Sequence, residues 1–96
     1  MKENLLKLNV NEFLVEENQE KREKNTELVL LDLEYYLKNF FSLSPNKNVA
    51  YTLSKITKKS SVIPIFENCN GYDYLKSLIL STDAKIRKYA YVIVVT

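Results

Sequence analysis

Residues 49–59, Val-Ala-Tyr-Thr-Leu-Ser-Lys-Ile-Thr-Lys-Lys, and residues 84–95, Ala-Lys-Ile-Arg-Lys-Tyr-Ala-Tyr-Val-Ile-Val-Val, bracket the stretch that decides the fold. Between them lie a short apolar piece, Asn70-Gly71, the Leu-rich run of residues 72–80 and the turn Ser81-Thr82-Asp83. Apolar residues recur at helical spacing in each run: Val49, Leu53 and Ile56, then Leu75, Leu78 and Ile79, then Ile86, Tyr89, Ala90, Ile93 and Val94. The runs also answer one another. Val49 with Ala90, Leu53 with Val94, Leu33 with Leu75, and Leu37 with Ile79 stand 41 or 42 positions apart.

Working outward, the composition agrees with helices. One glycine and two prolines in 96 residues are too few for a turn-rich β fold. Apolar residues at 46% and charged ones at 27% fit one small globular domain and exclude disorder. The formal charge of +2 gives no strong pull toward nucleic acid or an acidic membrane. The lone Cys69 has no internal disulfide partner, which points to a reducing, intracellular and cytoplasmic setting. Lys7, Asn9 and Asn11 interrupt the N-terminal apolar residues, so no signal peptide is expected. The longest apolar run, Val92 to Val95, is far too short for a membrane span.

Residues 1–25 read as an amphipathic helix that turns wholly polar, with Leu6, Val10, Phe13 and Leu14 as its docking face. A short strand through Leu6, Leu8 and Val10 is the competing reading. The pairs Glu17–Lys21 and Glu20–Lys24 suit a solvated helix end or linker. Residues 26–96 form the main unit. Thr26 is the expected N-cap of a helix carrying Leu30, Leu33, Leu37, Phe40 and Phe41, stopped at Ser44-Pro45-Asn46. A helix from Lys47 to Lys58 follows, then a short one capped by Ser60 or Ser61 with Pro64 in its first turn. Gly71 is expected at a left-handed junction ahead of the helix from Tyr72 to Leu80. Asp83 caps the last helix. Tyr91 to Thr96 is β-branched, so a strand competes there on propensity.

The order of features from Leu33 to Thr96, clearest from Val49 onward, resembles the armadillo/HEAT-type helical repeat. Its elements are the breaker Gly71, Leu75 with the pair Leu78 and Ile79, the acidic turn at Asp83, then Ile86-Arg87-Lys88 and the small residue Ala90. The 41–42 residue offset falls within the ~40–47 period of such repeats. The resemblance implies an all-α, short armadillo-like α-solenoid fragment of about two repeats, preceded by the N-terminal helix. It implies a non-catalytic scaffold for protein–protein interaction, binding through the face of the third helices. On that register Tyr51 and Val92 stand where import receptors of the family carry tryptophan, and Lys55 and Thr96 where they carry asparagine. Both signatures are missing, which argues against an import receptor and, with Lys55 and Lys59, toward an acidic ligand. The candidate protein-binding residues are Tyr51, Lys55, Lys59, Tyr89 and Val92. The plain alternative is that Tyr51 packs and the lysines are merely solvated.

Chemistry is sparse. There is no histidine, which removes the commonest general base and metal ligand. Gly71 stands alone, so there is no phosphate-binding loop. Cys69 has no histidine to activate it, and neither a metal site nor paired catalytic carboxylates are foreseen. No cofactor and no enzymatic activity are expected. A competing reading is a free-standing α+β regulatory or inhibitor protein whose residues 89–96 form a strand. A third, a helix-turn-helix nucleic-acid binder using Lys47–Lys59, is weakened by the low charge. Two repeats are fewer than such stacks need, and no polar cap follows Val92, Ile93, Val94 and Val95, so these are expected to be covered by another copy, another chain or further sequence.

Overall fold

The computed structural model describes residues 8–95, and every regular element among them is a helix. In chain order these are α1 (Val10–Val15), α2 (Gln19–Leu31), α3 (Leu33–Phe41), α4 (Lys47–Ile56), α5 (Ile63–Asn68), α6 (Gly71–Ile79) and α7 (Ala84–Val94). The protein is all-α. Residues 89–94 are helical, so the strand on which the α+β alternative depends is absent; Thr96 lies outside the described residues.

Helix α4 is the hub. It is buried on nearly all sides and packs against α1, α2 and, most extensively, α7. Val49, Leu53 and Ile56 face the core as their spacing requires, while Ser54 and Thr57 return their hydroxyls to the Tyr51 and Leu53 carbonyls at 2.6 and 2.7 Å. Those local bonds satisfy buried hydroxyls at little cost. Leu37, Leu53, Leu75, Leu78 and Ala90 join one core cluster. Phe13 enters it from α1 and stacks on Phe40 at 5.0 Å.

The two halves share a burial pattern. Leu33, Tyr36, Leu37 and Phe40 are buried on α3, and Gly71, Tyr74, Leu75 and Leu78, each 38 positions on, are buried on α6. Val49, Leu53 and Ile56 on α4 recur 37 positions on as Ile86, Ala90 and Ile93 on α7. The offset is therefore 37–38, four short of the 41–42 drawn from sequence pairs. One helical turn is 3.6 residues, so a shift of four keeps a residue near its own face, though Val94, paired with buried Leu53 in the sequence, is 55% exposed. The sequence register is close to in phase but one turn too long.

Four junctions differ from the sequence reading. The N-terminal helix is broken at residues 16–18, where Asn18 caps α2 by accepting the Lys21 N–H at 3.1 Å. Leu8 has no strand structure, and Leu6 lies outside the described residues. Thr26 is not a cap: it is buried inside α2, which runs across the 25/26 division, and its hydroxyl bonds the Arg22 carbonyl and lies 3.4 Å from Thr52 Oγ1. Gly71 does not adopt positive φ. Asn70 does, at φ 65° and ψ 37°, and Gly71 begins α6. Asparagine tolerates the left-handed region better than other residues with a Cβ. What Gly71 supplies is room, because a Cβ there would lie 2.6 Å from the Phe66 ring. Ser60 and Ser61 do not cap α5 through their side chains, though Pro64 does fall in its first turn.

The starts of α4 and α7 fall where the sequence reading put them. Asn46 caps α4, its side-chain oxygen accepting the Asn48 and Val49 N–H groups at 2.8 and 3.3 Å. Asp83 caps α7 by accepting the Lys85 N–H at 2.8 Å. None of the described helices is long and apolar enough to cross a membrane.

Candidate protein-binding face

The sequence places Tyr51 and Lys55 one turn apart on α4; Lys55 is exposed, whereas Tyr51 is 6% exposed and packs at the border of the core, as the plain alternative expected. Helix α7 lies alongside. Asn46, Lys47 and Asn48 share a cleft with Asp83 and Ile86 at one end, and Thr57 shares one with Ile93 and Val94 at the other. The two helices therefore run parallel. Tyr89 on α7 meets Tyr51 edge to face, with ring centroids 5.6 Å apart and planes at 80°. Lys55 Nζ sits 5.3 Å from the Tyr51 ring centroid, within cation–π range. Gln19 at the start of α2 donates to Tyr51 Oη at 2.8 Å.

Three of the five sequence candidates, Tyr51, Lys55 and Tyr89, thus form one cluster. Val92 is half-buried three residues beyond Tyr89 on the same flank of α7. Lys59 is exposed in the turn after α4 and belongs to the edge of this face rather than its centre. Gln19 was missed, and nothing in the local sequence signals it, since the contact spans 32 positions. The 37-residue offset also revises the equivalences: Tyr51 answers Lys88, and Lys55 answers Val92.

The apolar C-terminal run divides. Ile93 is buried in the core and Val92 half-buried, while Tyr91, Val94 and Val95 are 55%, 55% and 83% exposed. Val94 borders an apolar cleft of about 390 Å³ with Thr57, Ile63, Phe66, Tyr72, Leu75 and Ile93.

Elsewhere the polar side chains do structural work. Asn48 is buried, and its Nδ2 donates to the Phe13 and Glu16 carbonyls at 2.7 and 2.8 Å. Asn46 Nδ2 donates to the Leu14 carbonyl at 3.2 Å, and Arg22 donates to the Glu16 and Glu17 carbonyls at 3.1 and 3.0 Å. These bonds tie down the end of α1. Burial pushes the Tyr74 hydroxyl up to about 12, opposed by a backbone hydrogen bond from Asn46. The Glu34 carboxylate, bonded to Lys38 at 3.1 Å, raises the Lys38 ammonium above its ordinary value. Cys69 is a half-buried free thiol at the end of α5. Among the described residues no group of histidine, cysteine or acidic side chains has the arrangement to hold a metal ion.

Compared with protein-family models, curated proteins and solved structures, the chain matches none of them. The functional reading therefore rests on the geometry above.

Proposed function

We propose that this chain is a non-catalytic helical-repeat scaffold of armadillo/HEAT type, binding another protein through the α4–α7 face that carries Tyr51, Lys55 and Tyr89. The observation that carries the reading is the duplicated burial pattern, α3 with α4 answered by α6 with α7. Repeats of this kind bury each unit against its neighbour and leave side chains along one layer for recognition. The packing order supports it, since α4 lies on α7 and α3 on α6. The offset is shorter than the ~40–47 of armadillo and HEAT units, so the likeness is one of plan. On the same reading the exposed apolar residues Tyr91, Val94 and Val95 are an assembly contact with another copy or another chain.

Selection of a random peptide display library on the purified chain tests the binding face. Specific peptides are expected to be enriched and then lost on Lys55→Ala or Tyr89→Ala with helicity unchanged. Absence of enrichment, or retention by both variants, refutes the assignment. Sedimentation tests the end contact, and a monodisperse monomer at high concentration rules out another copy.

A further inference from the structure

The modest net charge conceals a strong segregation. Residues 47–66 hold four lysines and no acid, and residues 84–96 hold two lysines, one arginine and no acid. Together these stretches carry seven of the 14 cations and none of the 12 acids, so the remainder carries seven cations against 12 acids, a net −5. Because α4 and α7 pack side by side, the sequence bias becomes a single cationic layer.

Within that layer Arg87 is engaged, its Nη1 donating to the Ser81 carbonyl at 2.7 Å. Lys55, Lys58, Lys59, Lys85 and Lys88 are exposed, and the ion pairs among the described residues, Lys38–Glu34 and Lys76–Asp73, lie on other helices. Lys85 is one turn before Tyr89, and Lys88 adjoins it. Lys55 is one turn after Tyr51. On parallel helices the lysine positions 55 and 85 therefore straddle the ring pair at about 12 Å along the axis. Buried Tyr51 is held in place by Gln19, whose amide donates to its hydroxyl oxygen at 2.8 Å.

We propose that the α4–α7 face docks an acidic segment of a partner protein. This rests on the protein-binding reading above and names the partner's chemistry. Carboxylates pair with Lys55 and Lys85, and an apolar or aromatic side chain between them rests on Tyr89, the half-buried member of the ring pair, which buried Tyr51 backs from within. An extended strand rises ~3.3 Å per residue, so carboxylates about four positions apart, on one side of the strand, match the lysine separation. Nucleic acid fits less well. All five exposed cations are lysines, without the arginine fork suited to phosphate. Glu23, one turn after Gln19, borders the face, and the net −5 remainder of a body 40 × 28 × 21 Å would repel a polyanion running beyond it.

The test reads the charge of the peptides enriched in the display selection, then measures them as labelled synthetic peptides by fluorescence anisotropy. Acidic peptides are expected, with affinity falling about tenfold or more between ~50 and ~300 mM salt. The double variant Lys55→Glu/Lys85→Glu is expected to weaken them at least about tenfold, and Lys76→Glu on α6 to leave them unchanged. Enriched peptides that are neutral or basic overturn the acidic class and leave the protein-binding reading standing. No enrichment overturns both. A labelled single-stranded oligonucleotide that binds more tightly than the peptides, and is lost in the same double variant, overturns the protein partner in favour of nucleic acid.

Discussion

Gly71→Ala replaces one hydrogen with a methyl group that has nowhere to go. The added Cβ would lie 2.6 Å from Cδ1, Cδ2 and Cε1 of Phe66, well inside contact distance. Phe66 cannot swing aside easily: it is 1% exposed, with Phe41 edge-on at 5.8 Å and Tyr72 at 5.3 Å. Overpacking of this kind costs about 1–3 kcal/mol. Alanine's better helix propensity returns up to ~1 kcal/mol in a helix interior, and less at the first helical residue, so a net loss of about 1–2 kcal/mol is expected. For a domain of this size that lowers Tm by roughly 5–15 °C. Thermal and urea unfolding followed by circular dichroism at 222 nm measures it. Phe66→Leu in the same background separates a clash from a backbone effect, because only a clash couples the two sites. A coupling of about 1 kcal/mol is expected from the double-mutant cycle. A neutral or stabilising Gly71→Ala, or strictly additive changes, refutes the reasoning.

Leu78→Ala empties a fully buried site and should cost about 2–5 kcal/mol in the same melts. Asn48→Ala removes one donor each from the Phe13 and Glu16 carbonyls, leaving Phe13 only the longer bond from the Glu16 N–H, and should cost about 1–3 kcal/mol, with proteolytic sensitivity rising in residues 8–18. Tyr74 holds its proton up to about 12 in the fold, against an ordinary value of 10. Its contribution is therefore complete below pH 10 and is lost as pH rises through about 12, so Tyr74→Phe should shift alkaline unfolding to higher pH.

What the sequence showed and what it hid have physical reasons. Val49, Leu53 and Ile56, Leu75 and Leu78, and the cap Asp83 were readable because each depends on neighbours within one turn; Asn46 was read only as part of a helix stop, although it caps α4. The β-branched run Tyr91–Val94 is helical against propensity because Ile86, Ala90 and Ile93 keep one buried face. The break at residues 16–18 was invisible, since charged residues there suit a helix and the loop's carbonyls are met by Asn48 and Arg22. The roles of Asn70 and Gly71 were exchanged because the decisive contact, Phe66 beneath Gly71, is one of packing. Tyr51, Lys55 and Tyr89 were each legible as candidates for the face, and Gln19 was not. The Tyr51–Tyr89 contact depends on how α4 and α7 lie together, and the 41-residue register would have placed it one turn away.

The side-chain bonds that close α1 also make it depend on distant parts of the chain. Six residues are too few for a helix to persist alone. The amides that hold its final carbonyls come from Asn46 and Asn48, 32 to 35 positions further along. Those bonds are complete only with α4 in place, while Phe13 on Phe40 of α3 is the apolar anchor of the same helix. Helix α1 is thus held entirely by contacts distant in sequence, and hydrogen exchange is expected to show its amides opening ahead of those of α4 and α7.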